Sequence, residues 1–451
     1  MEIMPCSAAR QHEHDGIPRP PRVTCRNVDR DAGLQGETAG FRALLTPPGR
    51  ALLAEIAATG GIGDGDLLAT AARLRARHPA GLVAAALTQT RLRTRAAGKF
   101  GPDAARMYFT ADGLEQATRA GVAAHRARRF HEILGNLSDG FSHRAPDGQV
   151  LDLCCGIGGD LIALARSGCP VAGVDSDPLT VAVARANLDA LGLSGRATVR
   201  AGDALRTDPA GQVAVFADPA RRTGRGRVFD PRAYRPPLGE LLELASRAPG
   251  GCVKVAPGIP YEAIPAGAET EWISVGGEVK EAAIWLGALA GAVRRRATVL
   301  PRAGNPRADA RASLVPDPGL GDPPVGPWRR YLYEPDGAVI RAHLVAEVAA
   351  EVGGTLADPR IAYITSDTLR PTPFATAYEI HDVMPFSVKR LRRALRERRA
   401  GTLTIKKRGS AVDVERLRHD LRPAGPEHVT VVLTRVGTSP HALLCQPINP
   451  S

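Results

Sequence analysis

The chain has 451 residues, a formal net charge of +12 at pH 7 and 44% apolar residues, enough for two or three domains with their own cores. The seven cysteines are odd in number and form no Cys-x-x-Cys pair, which argues against a disulfide framework and a zinc ribbon and leaves free thiols in a reducing compartment, with no metal expected. No apolar run reaches membrane-spanning length and no apolar signal region opens the chain, so the expectation is a soluble cytoplasmic protein, without a membrane partner, whose basic surplus meets either solvent or an anion.

Residues 1–40 mix Pro, Gly, Arg, His and Asp without periodicity, the signature of a disordered start. From Thr46 the apolar positions recur at helical spacing, with Leu52, Leu53, Ile56 and Ala57, then Leu67, Leu68, Ala71 and Leu74, then Leu82, Val83, Ala86 and Leu87. They predict a small helical domain over 41–147. Its segment Arg91-Leu-Arg-Thr-Arg95 with Lys99-Phe100 reads either as a solvated helix end or as an RNA-facing patch. Asp112-x-x-Glu115 has the capping-box arrangement and predicts a helix running through Val122 toward Phe130. Within it, Thr118 to His125 resembles the segment before the catalytic core of trimethylguanosine synthases, with Arg119 and Ala120 in place of that family's Pro and Glu. The resemblance implies that Thr118 helps close the segment over a cofactor; the residues alone fit a helix cap or a surface threonine.

The centre of the chain is Val150-Leu-Asp-Leu-Cys-Cys-Gly-Ile-Gly-Gly-Asp160, an apolar strand, a glycine turn and a helix start. Asp160 suits the positive end of that helix. The dinucleotide fingerprint needs a small residue where Leu161 stands, so that reading fails. A second strand, Val171-Ala-Gly-Val174, ends in Asp175 at the interval a β-α-β unit takes. A helix follows over 178–191, then strands Ala197-Thr-Val-Arg200 and Val213-Ala-Val-Phe-Ala217, the latter delivering Asp218-Pro-Ala-Arg-Arg222 to the carboxyl edge of the sheet. Helix 238–246 and strands 252–256, 271–275 and 282–286 make seven strands, the last two antiparallel because only Gly276-Gly277 joins them.

Asp152, the loop and Asp175 resemble motifs I and II of the class I S-adenosylmethionine-dependent methyltransferases. The resemblance implies an α/β, Rossmann-like, seven-stranded sheet over 148–300 finished by one reversed strand. It also implies S-adenosylmethionine as cofactor, with Asp152 at its amino group, the loop of Cys154, Gly156 and Gly158 around its methionine part, Asp175 with Ser176 at the ribose hydroxyls, and Asp203 and Ala204 at the adenine. Cys154 stands where the family more often has glycine.

Residues 301–327, rich in Pro, Gly and Asp, read as a linker, and Tyr333-Glu-Pro-Asp-Gly337 as a turn before a helix over 340–352. Strand 377–380, helix 388–398, strand 401–405, helix 414–421 and the hairpin 429–433 with 442–445 make a small α/β domain within 328–451. It resembles the THUMP-like domain appended to some bacterial methyltransferases, matched on Lys406-Lys-Arg-Gly-Ser410 and Thr434-Arg435-Val436. By analogy with THUMP domains, it implies RNA binding.

For methyl transfer to an exocyclic amine, an Asp or Asn, two prolines and an aromatic suit the task, because the side chain and a carbonyl accept the amine protons while the ring stacks on the base. Asp218 and Pro219 keep the first half as candidate catalytic residues, and Ala220 and Arg221 replace the rest. Arg221 and Arg222 beside the cleft, and Lys406, Lys407 and Arg408 in the last domain, are candidate contacts to substrate phosphate. So are the arginines of 389–399, whose helix has Leu391 and Leu395 on its inner face. The expected function is methyl transfer to a nucleic acid, foremost RNA. An RNA-binding protein with a vestigial cofactor site and a small-molecule methyltransferase are the alternatives, and the sequence leaves the oligomeric state open.

Overall fold

The computed structural model describes residues 36–59, 66–141, 148–221, 230–302 and 311–448. They form two compact units divided between Arg91 and Leu92. The first unit contains helices α1 (36–44), α2 (Pro47–Ala58), α3 (Leu67–Arg75) and the start of α4 (Ala80–Phe100). Residues 36–40 of the expected unstructured start belong to α1, and its first 35 residues lie outside the described residues. Thr46 caps α2 by accepting from Gly49 N, and α2 buries Leu52, Leu53 and Ile56 as the spacing predicts. Leu68 departs from its predicted inward place and is exposed.

In the second unit the predicted helix from Asp112 is two helices, α5 (Ala111–Gln116) and α6 (Ala120–Phe141). Thr110, not Asp112, is the cap, accepting from Gly113 N. The chain breaks over 117–119, where Lys99 Nζ donates to the carbonyls of Leu114, Glu115 and Ala117 at 2.6, 2.7 and 3.0 Å. Lys99 is thus spent on capping α5, and Arg93 on the carbonyl of Met107 at 2.9 Å, so neither belongs to a free basic patch.

The sheet behind the glycine turn has nine strands. Its members are β1 (Val150–Leu153), β2 (Val171–Asp175), β3 (Ala197–Ala201), β4 (Ala214–Ala217), β7 (Gly250–Val255), β8 (Glu269–Val275), β9 (Glu278–Gly287), β10 (Arg295–Leu300) and β11 (Ala312–Leu314). A two-residue pair, β5 (Ala220–Arg221) with β6 (Tyr234–Arg235), lies apart from it. The order β11-β10-β8-β9-β7-β4-β1-β2-β3 contains all seven predicted strands, with β9 reversed against both β7 and β8. Strands β10 and β11 extend it, so part of the predicted linker is a sheet edge. Helices α7 (Gly159–Arg166), α8 (Pro178–Leu191) and α9 (Leu238–Ser246) follow β1, β2 and the β5–β6 pair.

The second unit ends in a seven-stranded sheet, β13-β14-β12-β15-β18-β17-β16. Three of its strands, β12 (Tyr331–Pro335), β13 (Thr355–Asp358) and β14 (Ile361–Ser366), were not anticipated. The expected turn at 333–337 is the end of β12, and the expected helix 340–352 is split into α10 (Gly337–Arg341) and α11 (Val345–Val352) around His343, whose φ is +54°. The remaining predicted elements are all present, the helices close to their expected bounds and the strands longer than expected: β15 (Ala375–Pro385), α12 (Val388–Glu397), β16 (Ala400–Lys407), α13 (Val414–Leu421), β17 (Glu427–Val436) and β18 (Ser439–Pro447). Helices α12 and α13 cover one face through Leu391, Leu395, Leu417 and Leu421. On the same face, toward β12–β14, Tyr333 joins Ala338, Val339, Val348, Leu151, Val253 and Ile284 in one core, so the two sheets are built on shared apolar packing.

Helix α6 carries three cationic or imidazole side chains against buried carboxylates of the first sheet and of α7. His125 Nε2 lies 2.8 Å from Glu271 Oε1, Arg129 Nη1 donates to Glu269 at 2.9 Å, and Arg126 pairs with Asp160 and Glu281. Glu271 also accepts from Trp285 Nε1 at 3.0 Å and Thr298 Oγ1 at 2.5 Å. Burial works against its charge, but the bonds from His125 and Thr298 outweigh it and bring its pKa down to about 2. A depressed carboxylate adds stability above its ordinary pKa and loses it as pH falls through the folded value. The stability difference between wild type and Glu271→Gln, measured by urea unfolding, should therefore shrink progressively as pH falls from about 5 toward 2. A difference independent of pH would contradict this.

Candidate active site

The loop between β1 and α7 turns on residues with positive φ: Cys154 at +59°, Gly156 at +56° and Gly158 at +90°. Cys154 is strained there, since only glycine adopts that region freely. A Cβ on Gly156 would meet nothing within 4 Å, so the space before the loop is open to a ligand backbone or side group. Asp175, at the end of β2, closes the loop by accepting from Gly156 N at 3.0 Å through Oδ2 and from Asp177 N at 3.0 Å through Oδ1. Ser176 follows it and is exposed.

Beneath the loop Asp152 is sealed from solvent, and among the described residues neither carboxylate oxygen has a hydrogen-bond partner. Burial, followed by the charges of Asp160 and Asp218, pushes its pKa well above the ordinary value. A cationic or hydrogen-bond-donating ligand group is what such an orphaned carboxylate lacks. Asp203 caps a short turn by accepting from Leu205 N at 2.9 Å, with Ala204 buried behind it. These acids converge: the Cys154 thiol is pushed up to about 12 by burial and then by Asp175, Asp218, Asp152 and Asp203. An orphaned carboxylate, an open glycine loop and clustered acids thus fit a cationic, hydroxyl-bearing group such as a sulfonium nucleoside, which Asp152, the loop, Asp175 and Asp203 could hold.

The segment before the core packs onto this loop. Asn187 of α8 donates to the carbonyls of Ile157 and Tyr108 at 2.9 and 3.1 Å and accepts from Tyr108 N at 2.6 Å. A Cβ on Gly113 would strike Ile157, so that glycine permits the close approach of α5, while Gly159 lies in ordinary contact with the carbonyl oxygen of Thr118. Thr118 is neither a surface residue nor a free cap; it is buried and accepts from Lys254 Nζ at 2.9 Å.

Beside the loop opens a cleft of about 650 Å³, lined among others by Thr118, Asp218, Pro219, Tyr234, Lys254 and Lys280. Asp218 leaves the end of β4, its backbone N donating to Leu153 O at 3.2 Å and its Oδ2 accepting from Lys254 Nζ at 2.7 Å. Pro219 is buried next to it. Ala220 and Arg221 form the short ribbon with Tyr234 and Arg235, and Tyr234 Oη accepts from Ala256 N at 2.7 Å. Arg222 lies outside the described residues, and only the backbone of Arg221 falls within them. Sequence reasoning missed Lys254 and Arg126. The signal for the first was present, an ionisable residue inside the strand Cys252-Val-Lys-Val255.

The basic run near the end of the chain is divided. Lys406 Nζ donates to Glu334 at 2.5 Å and Arg408 Nη1 to the carbonyl of Ala362 at 2.9 Å, so both are paired within the domain while staying partly exposed. Lys407 is exposed, with one bond to Val412 O at 3.0 Å. On α12, Lys389, Arg390, Arg393 and Arg396 are exposed.

Known proteins agree with this geometry. Residues 150–217 match a family described as a methyltransferase domain, residues 375–447 a THUMP domain-like family, and residues 37–96 a domain of unknown function. An uncharacterised S-adenosylmethionine-dependent methyltransferase of Mycobacterium tuberculosis is 38% identical over 371 residues, covering 79% of this chain and 95% of the relative. An uncharacterised RNA methyltransferase of Parasynechococcus marenigrum is 36% identical over 93 residues, 20% of each chain. The fold is shared with a crystal structure from Porphyromonas gingivalis described as a methyltransferase, at a TM-score of 0.64 and 20% identity over 94% of this chain and 98% of that one. Among the described residues no helix is long and apolar enough to cross a membrane. The nearly full-length match, the glycine loop and the paired carboxylates together place this chain in the S-adenosylmethionine-dependent methyltransferases, with S-adenosylmethionine as its cofactor.

Proposed function

We propose that this methyltransferase acts on RNA, presenting an N–H group of a base to Asp218 in the cleft beside the glycine loop. The observation that carries the reading is α12, whose Leu391, Ala394 and Leu395 turn inward while Lys389, Arg390, Arg393 and Arg396 face solvent. A row of four exposed cations on a THUMP domain-like unit suits a phosphate backbone. The short match to a relative named as an RNA methyltransferase supports the same substrate class.

When bound, S-adenosylmethionine supplies an activated methyl carbon for an in-line displacement. The chain's own residues have the other tasks. Asp152, the loop from Cys154 to Gly158, Asp175 and Asp203 hold and orient the cofactor. Asp218 accepts a hydrogen bond from the acceptor nitrogen, raising the availability of its lone pair, and takes the proton released on transfer. Pro219 shapes the floor beside it, and Thr118, with the break between α5 and α6, walls off water.

The roles separate in mutants. Asp175→Ala should weaken S-adenosylmethionine binding by about 10- to 100-fold in isothermal titration. Asp218→Asn should leave that affinity nearly intact and lower turnover by about 10²- to 10⁴-fold. The substrate is tested by mass spectrometry of RNA nucleosides from a deletion strain. One methylated nucleoside should be missing and should return when its RNA is incubated with wild-type protein and cofactor, but not with Asp218→Asn. An unchanged nucleoside profile, with no methyl incorporated into that RNA, would remove RNA as the substrate. Changing Lys389, Arg390, Arg393 and Arg396 to Gln should flatten the dependence of log affinity for that RNA on log salt by about 0.7–0.9 per lost phosphate contact; an unchanged slope would take α12 out of the interface.

A further inference from the structure

Lys254 has no evident place in a sheet core. It stands in β7 between Val253 and Val255, both buried, opposite Ala283 of β9, and its side chain is largely enclosed. Enclosing an ammonium is costly unless its protons are used. Two of them are: Nζ donates to Asp218 Oδ2 at 2.7 Å and to Thr118 Oγ1 at 2.9 Å. The lysine thus joins the end of β4 to the wall formed by the α5–α6 break, 36 and 136 residues away in sequence. Thr118 is held from its other side by α6, with Arg126 Nη2 at 3.5 Å. Among the described residues Asp218 Oδ1 receives no hydrogen bond, while Asp218, Thr118 and Lys254 all line the same cleft.

We propose that Lys254 is the positioning residue of the acceptor site, its ammonium braced by Thr118 so that the Asp218 carboxylate is held charged and with Oδ1 free for an acceptor N–H. The inference rests on the reading that Asp218 meets the acceptor, and extends it to the residue that sets Asp218's orientation and charge. The surroundings make such a brace necessary. Enclosure raises Asp218 above the usual carboxylate range, Lys254 opposes that rise, Asp160 of α7 adds to it and Arg126 of α6 opposes it. The orphaned carboxylate of Asp152 on β1 lies close enough to feel Asp218's charge. Without Lys254, the proton would return to Asp218 at a higher pH and occupy the position that must accept one.

The test titrates Asp218 itself and needs no methyl acceptor, so it stands whether or not RNA proves to be the substrate. The full chain, labelled with ¹³C at aspartate carboxyls, is followed by NMR against pH, with the Asp218 signal assigned by its loss in Asp218→Asn. In Lys254→Met the Asp218 midpoint should move up from the wild-type position, and in Lys254→Arg it should stay near it. Lys254→Gln, which retains the stem and a donor without the charge, should move it in the same direction as Met and serves if the Met variant fails to fold. A midpoint unmoved by loss of the charge, or moved as far by Arg as by Met, would overturn the proposal.

Discussion

Arg126 is the side chain on which the second unit turns. It is almost wholly buried, pairs with Asp160 at the start of α7 and with Glu281 of β9, and lies with its guanidinium carbon 5.1 Å from the ring centre of Phe216. A charge enclosed this deeply is tolerated only with its partners in place; breaking such a pair costs about 3–5 kcal/mol. Arg126 therefore fixes the position of α6 against the sheet, and with it the residues just before α6. Thr118 lies eight residues before Arg126 and two before α6, so seating α6 also sets the wall of the cleft.

From that anchor the site assembles from distant pieces. The glycine loop is held below by β1, on one side by Asp175 and from above by Asn187 and the residues of α5. Asp218 enters from β4 and is joined to the same wall through Lys254. The acids Asp152, Asp175, Asp203 and Asp218 share one neighbourhood around Cys154, which suits a cationic cofactor at one end and a proton-accepting group at the other.

What could be read from the sequence was local. The run from Val150 to Asp160 carries its own strand, turn and helix signals, and Asp177 and Pro178 announce α8 as plainly as Gly192, with φ of +72°, ends it. Long-range pairs left weaker traces. Helix α5 ends at Ala117 without Gly or Pro because Lys99 caps it from another helix, and α10 stops near His343, a residue that rarely takes the left-handed conformation it adopts. Glu269, Glu271 and Glu281 look like solvent-facing residues of ordinary strands until His125, Arg126 and Arg129 are laid against them. A basic run conveys charge but not direction: the alternation that sends Lys406 and Arg408 to Glu334 and leaves Lys407 exposed is legible only with the strand and its partner in hand. The extra strands β10 to β14 were missed because Pro, Asp and Gly in their neighbourhood read as linker and turn.

A single continuous site is proposed to run from Asp175 to the Asp218–Lys254–Thr118 group. A crystal structure with S-adenosylhomocysteine tests it most directly. Expected are ribose hydroxyls on Asp175, the amino group above Asp152, and the thioether sulfur opening toward Asp218 with Lys254 still bonded to both of its partners. A ligand whose sulfur faces away from Asp218, or one that binds clear of the glycine loop, would contradict it.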